Sequence, residues 1–149
     1  RDGAGLAWSQ RENAMRRIAA ALLLGFATGA VAQTPEERLA AAGHVLPEPV
    51  KPVATYVTSA QAGKLLFLSG HGQCGTQAKG QLGTDMDVAA GRASAEKVGL
   101  CMLATIKAHV GELSRVKQFV RILGFVNSAP GFTQHPQVMN GFSDLMVVA

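Results

Sequence analysis

Apolar residues change their spacing several times along the chain, and each spacing predicts a different element. Thr34-Pro35-Glu36-Glu37 predicts a short helix, because Thr34 can cap it, Pro35 suits the first turn and Glu37 completes a capping box. Gly43 then stands where a helix ends. Pro47, Pro49 and Pro52 force an extended connection over residues 44–52. Residues 53–60 read as a strand, 61–63 as a turn and 64–69 as a second strand, together a hairpin. The run Leu65-Leu66-Phe67-Leu68 is apolar on both faces, so this strand is expected to be covered on both sides. Residues 70–83 form a Gly- and Gln-rich loop.

From about Asp87 the period lengthens to that of a helix. Val88, Ala95, Gly99, Met102, Leu103, Ile106 and Val110 make one face, on which Gly99 permits close packing against a sheet; Gly111 ends the helix. Residues 115–126 alternate as a third strand. Val116, Val120, Ile122 and Val126 share one face, while Lys117 and Arg121 mix with Phe119, Leu123 and Phe125 on the other. Cations on an otherwise apolar face suggest a central strand whose second face meets a partner or a ligand cleft. Residues 127–135 read as a loop, and Pro136 begins a second helix with Val138, Phe142, Leu145 and Met146 toward the core. The order β-β-α-β-α, with two helices on one face of three strands, is an α+β layer. Its open sheet edge implies further strands beyond Ala149.

The 149 residues suit one domain, and 48% hydrophobic content excludes a disordered or collagen-like chain. The net charge is +4, but Arg1, Arg11, Arg16 and Arg17 against Asp2 and Glu12 supply half of it within residues 1–32. The remainder has no basic run, so a solvated surface of mixed sign is expected and no nucleic-acid partner. Residues 15–32 read as a signal peptide: Met15-Arg16-Arg17 is basic, residues 18–29 are apolar, and Ala30-Val31-Ala32 is a small-x-small cleavage site. The apolar stretch falls short of the ~20 residues that span a bilayer. Residues 1–14 lie upstream of the first Met and read as an upstream or fragment segment, leaving 33–149 as the domain of a periplasmic or secreted protein. Oxidising conditions would permit a disulfide. Yet Cys74 falls in a loop and Cys101 in mid-helix, so two unpaired or buried thiols are expected. No CxxC, HExxH or Cys/His cluster supports a metal site.

The pattern resembles a known family. Tyr56 in the first strand, Leu66-Phe67-Leu68-Ser69-Gly70 closing the second, the long helix, the strand over residues 116–126 and Val138-Met139-Asn140 in the last helix are similar to the Rid family. That family is also called YjgF-type, endoribonuclease L-PSP or reactive-intermediate deaminase. Pro35-Glu36-Glu37-Arg38-Leu39, residues 47–54 and Leu123-Gly124-Phe125-Val126-Asn127-Ser128 resemble a YjgF-like subgroup with its own N-terminal helix. The resemblance implies a chorismate-mutase-like α+β fold, incomplete at its C-terminus, that assembles as a homotrimer with ligand clefts between subunits. It implies hydrolytic deamination of 2-imino or enamine acids to 2-oxo acids and ammonia, without metal or organic cofactor. By position, Tyr56 matches the cleft tyrosine, Gly70 the backbone turn near the substrate and Asn140 the helical asparagine of the cleft.

Two departures lead to the expectation that this chain as given binds 2-imino acids poorly and is inactive. The family's carboxylate-gripping arginine and its late glutamate belong to strands after the second helix, and His71 stands where deaminase members usually carry Gln. Each candidate also has a plain structural reading. Tyr56 can be a half-buried strand residue, Gly70 a turn glycine, His71 a solvated loop imidazole and Asn140 a surface residue. Arg121 is the in-strand cation able to face a cleft, or else half of a surface ion pair. The competing functions are an imine deaminase, a non-catalytic trimeric module for small ligands and, last, an endoribonuclease.

Overall fold

The computed structural model describes residues 32–149, of which Gln33–Ala149 packs as one compact unit. The signal peptide and the upstream segment lie outside the described residues. Helix α1 (Pro35–Ala41) begins as expected: the Thr34 hydroxyl accepts from the Glu37 N–H (3.2 Å) and the Glu37 carboxylate accepts from the Thr34 N–H (2.8 Å). It ends in a Schellman turn, with His44 N–H donating to Leu39 C=O and Gly43 N–H to Ala40 C=O while Gly43 takes φ +83°. This seven-residue helix is too short to persist alone. It is held by Leu39, 1% exposed, which enters a core with Leu103, Ile106, Leu113 and Leu145.

The hairpin forms, with shorter strands than expected. Strand β1 (Ser59–Ala62) pairs antiparallel with β2 (Leu65–Leu68), Ser59 opposite Leu68 and Ala62 opposite Leu65. Gly63, at φ +60°, supplies the positive backbone angle of a turn tighter than the one the sequence suggested. One more bond, Ser69 N–H to Thr58 C=O (3.0 Å), extends the ladder. Residues 53–57 therefore do not belong to the strand. Beyond Ser69 the opposite chain turns away into the glycine-rich loop and offers them no ladder, and Tyr56 sits in a bend, its N–H on the Ala54 carbonyl (2.9 Å). The β2 strand is covered on one side only. Leu66 and Leu68 pack on the core, whereas Leu65 and Phe67 are 49% and 57% exposed.

Helix α2 (Val88–Val110) starts on the Asp87 carboxylate, which accepts from the Ala90 N–H (2.7 Å), and ends at Gly111, φ +88°. Helix α3 (His135–Val148) packs directly against it. Glycines make this close approach possible. A Cβ at Gly99 would lie 2.8 Å from Leu145 Cδ2, and one at Gly141 only 2.0 Å from the Arg92 carbonyl oxygen. Gly99 thus faces α3, not a sheet as the sequence suggested. A second stripe of α2, carrying Cys101, Ala104 and Thr105, is also buried.

Two expectations are corrected. Leu113–Arg115 forms a single 3₁₀ turn, and residues 116–126 carry no regular structure. Alternating side chains specify two faces, but a strand exists only through a ladder, and no backbone neighbour pairs with this segment. Among the described residues the sheet therefore has two strands, and the two helices pack chiefly on each other. Cys74 and Cys101 are bonded, their Cα atoms 5.6 Å apart, because the loop folds back over the second buried stripe of α2. Closing a loop with 27 residues of separation is worth about 3.5 kcal/mol through the entropy removed from the unfolded chain.

Candidate functional site

A cavity of about 1350 Å³ opens between the hairpin, α2 and the unpaired segment 115–127. Its character follows from what lines it. Lys64 comes from the hairpin turn, Arg115 from the 3₁₀ turn, and Lys117 and Arg121 from the segment the sequence marked as apolar with cations. Among the described residues no aspartate or glutamate lines the cavity. Arg115 is partly committed, donating from Nη1 to the Val110 carbonyl (2.6 Å) at the end of α2. Lys64, Lys117 and Arg121 join none of the ion pairs among the described residues, which are His44–Glu96, Arg92–Asp144 and Lys107–Glu36. Unpaired cations beside apolar walls create a positive potential that water screens only in part. An anion with an apolar body is the complementary ligand.

Two histidines border the cavity, and both are fully engaged. His71 brings Nδ1 within 2.7 Å of the Ser69 carbonyl, which can only accept, so Nδ1 carries a hydrogen. Its Nε2 lies 2.9 Å from Oγ1 of the buried Thr105, whose single hydroxyl hydrogen also has the Cys101 carbonyl within reach (3.2 Å). His71 is thus a half-buried clamp between loop and helix, with no nitrogen left for a ligand in this arrangement. His109 places Nδ1 3.1 Å from Ser59 Oγ and Nε2 3.2 Å from Gln61 Oε1. Because Gln61 Nε2 donates to the Gly63 carbonyl (3.0 Å), its Oε1 faces the imidazole and Nε2 of His109 is the donor. His109 therefore fastens the last turn of α2 to β1.

Of the residues singled out from sequence, Gly70, His71 and Arg121 line the cavity together. A side chain built on Gly70 would meet nothing within 4 Å, so this glycine leaves the rim open. Tyr56 and Asn140 lie elsewhere: Tyr56 is 43% exposed in the bend before β1, and Asn140 is exposed on α3. Sequence reasoning missed Lys64, Thr105 and Gln73. Gln73 is buried, its Nε2 on Ser94 Oγ and its Oε1 accepting from the Ala78 N–H (3.3 Å), so the loop winds around one side chain. A buried glutamine in a polar loop leaves no periodic signal. Thr105 was legible in principle, four residues after Cys101 on the same side of the helix.

Among the described residues no three His, Cys, Asp or Glu side chains converge as metal ligands, and no helix is long and apolar enough to cross a membrane. The described lining of the cavity offers cations, backbone groups and apolar walls. Such a set can hold a carboxylate and order a water beside it; a bidentate arginine is the most selective member for that task.

Comparison with known proteins places the chain. A relative from Trypanosoma cruzi, "Protein TCP17", is 38% identical over 111 residues, covering 70% of this chain and 68% of that protein. A crystal structure from Shewanella oneidensis, described as a "putative endoribonuclease", superposes with a TM-score of 0.74 at 37% identity, covering 78% of this chain and 79% of the other. The protein Atu1372 from Agrobacterium tumefaciens, described as of unknown function, gives 0.69 at 35% identity over 77% and 73%. The family model described as "YjgF/chorismate_mutase-like, putative endoribonuclease" matches residues 36–149. The chain therefore has the α+β fold of the YjgF/chorismate-mutase-like family and belongs to it.

Proposed function

We propose that the cavity binds small organic carboxylates and that the protein hydrolyses 2-imino or enamine acids to 2-oxo acids and ammonia. The observation that carries this reading is the cation lining from Lys64, Arg115, Lys117 and Arg121 without a lining carboxylate. A protonated imine is electrophilic at carbon. Water adds there, the tetrahedral carbinolamine loses ammonia, and the 2-oxo acid remains, so hydrolysis requires only a held carboxylate, an ordered water and a proton path. In place of the family's later arginine, Arg121 is assigned to the carboxylate, since it lines the cavity and its fork matches two oxygens.

Assembly belongs to the same reading. Leu65 and Phe67 on β2, with Phe119, Leu123 and Phe125 on the unpaired segment, expose apolar surface next to the cavity, and a homotrimer would cover it. The Cys74–Cys101 bond fits an oxidising compartment, which supports the secretory address read in residues 15–32.

A second reading has one observation in its favour. Exposed Phe67, Phe119 and Phe125 beside the cations could stack bases of single-stranded RNA. The deciding experiment generates a 2-imino acid in situ with an amino-acid oxidase and follows ammonia release. The deaminase reading expects acceleration by the protein, diminished in Arg121→Ala, with no cleavage of a single-stranded RNA. Thermal stabilisation by a 2-oxo acid without ammonia release would leave a binding module. RNA cleavage without either would establish the nuclease and refute the proposal.

A further inference from the structure

Three links fasten the loop over residues 70–83 to one line of α2. Gln73 reaches Ser94, His71 reaches Thr105 (2.9 Å) and Cys74 is bonded to Cys101. Ser94, Cys101 and Thr105 are spaced seven and four residues apart, so they stack along one side of the helix. The loop between Gly70 and Gly80 has no regular secondary structure of its own, and only the disulfide is a covalent anchor.

We propose that the Cys74–Cys101 disulfide is a thiol-exchangeable latch that holds Gly70 and His71 at the cavity rim, with Cys74 as the sulfur that takes the modification. The two sulfurs are unequal. Cys101 is 1% exposed in mid-helix, whereas Cys74 is half-buried on the loop, its sulfur next to the Glu48 carbonyl at 3.8 Å. An external thiolate therefore reaches Cys74. Its sulfur forms a bond to Cys74 Sγ, the bond to Cys101 breaks, and Cys101 leaves as a thiolate that takes a proton from solvent. The product is a mixed disulfide on Cys74. A second thiolate attacks the external sulfur, releasing Cys74 as a thiol, so two external thiols are oxidised while one protein disulfide is reduced. Toward α2 the loop then keeps only the His71 and Gln73 hydrogen bonds, and local opening of residues 71–79 becomes cheap while Gly80, Gln81 and Leu82 stay bonded to residues 127–129. This holds whatever the cavity binds.

The full chain is titrated with glutathione under air, alkylated and peptide-mapped, and amide hydrogen exchange is measured with and without dithiothreitol. The expected results are a linked Cys74–Cys101 peptide in the untreated protein and a glutathione adduct on Cys74. Reduction should speed exchange over residues 71–79 by up to about 300-fold, the roughly 3.5 kcal/mol of the closed loop expressed as a rate ratio, while α3 keeps the protection that the loop has lost. Cys74→Ala should show the fast loop without reductant and no response to it, and it leaves the buried helix position intact. Two free thiols in the untreated protein, an adduct on Cys101 alone, or loop exchange indifferent to reduction would each overturn the latch. Exchange as fast in α2 and α3 as in the loop after reduction would overturn it too, since the bond would then be holding the whole fold and no local latch.

Discussion

Replacing Gly141 by Ala inverts an ordinary rule and so tests the helix pair at its tightest point. In a helix interior Ala is favoured over Gly by about 1 kcal/mol. Here the added Cβ would stand 2.0 Å from the Arg92 carbonyl oxygen, and contacts under 3.0 Å are essentially never seen for real Cβ atoms. The obstacle is backbone, which cannot rotate aside, so α2 and α3 must separate by about 1 Å at the crossing. A gap of that size forfeits roughly a quarter to a half of each dispersion contact across the interface. The buried Val138, Phe142 and Leu145 lose most. Overpacking of this kind costs about 3 kcal/mol or somewhat more, and the propensity gain returns about 1, leaving a net loss of roughly 2–3 kcal/mol. At about 4 °C per kcal/mol for a unit of this size, Tm should fall by roughly 10 °C. Urea unfolding followed by far-UV circular dichroism measures the loss, with a constant m-value showing that the states compared are the same. Asn140→Ala, one residue away on the exposed face, is the control and should be neutral or slightly stabilising. A Gly141→Ala protein as stable as the parent, or more stable, would refute the close backbone crossing.

Other consequences are smaller or local. Gly99→Ala meets Leu145 and Met146 side-chain ends at 2.8 and 3.1 Å, which can give, so its loss in the same urea assay should be about 1 kcal/mol, below that of Gly141→Ala. Leu39→Ala empties a core position and should cost about 2–5 kcal/mol by urea unfolding. Thr34→Ala removes the cap of α1 and should cost about 1 kcal/mol by the same measure. Burial opposes ionisation of Glu36, but hydrogen bonds from the Leu113 N–H and Lys107 outweigh it and hold the carboxyl below its ordinary range. A depressed carboxyl contributes stability above its unfolded value, and that contribution is lost as pH falls through the folded one. Glu36→Gln should therefore flatten the acid limb of stability against pH, and an unchanged slope would remove Glu36 from the account of acid unfolding.

Local chemistry made much of the fold legible. Thr34 with Glu37, Gly43, Asp87 and Gly111 mark helix ends through bonds that each residue makes within a few positions, and all four ends fall where those residues stand. The core side of α3 was readable for the same reason, since Val138, Phe142 and Leu145 recur at helical spacing and are buried. What depended on a distant partner was not. Residues 53–57 have strand-like composition but face a loop, and residues 116–126 alternate without a ladder. Reading one face of α2 hid its second buried stripe, and with it the approach of Cys74 to Cys101 and the clamp from Thr105 to His71. The site was half legible. Lys117 and Arg121 stood out as charges on an apolar face, whereas Lys64 joined them only because the hairpin folds its turn toward the same cavity.

The central claim is that this cavity attracts a small carboxylate through cations with no carboxylate among them. Isothermal titration of the protein with 2-oxobutyrate, and in parallel with its uncharged amide, tests that directly. Saturable binding of the acid alone, weakened at higher salt and at least about tenfold in Lys117→Ala/Arg121→Ala, is the predicted result, a factor that needs only about 1.4 kcal/mol from the lost cations. Equal affinity for acid and amide, or acid binding that the double substitution leaves untouched, would contradict it.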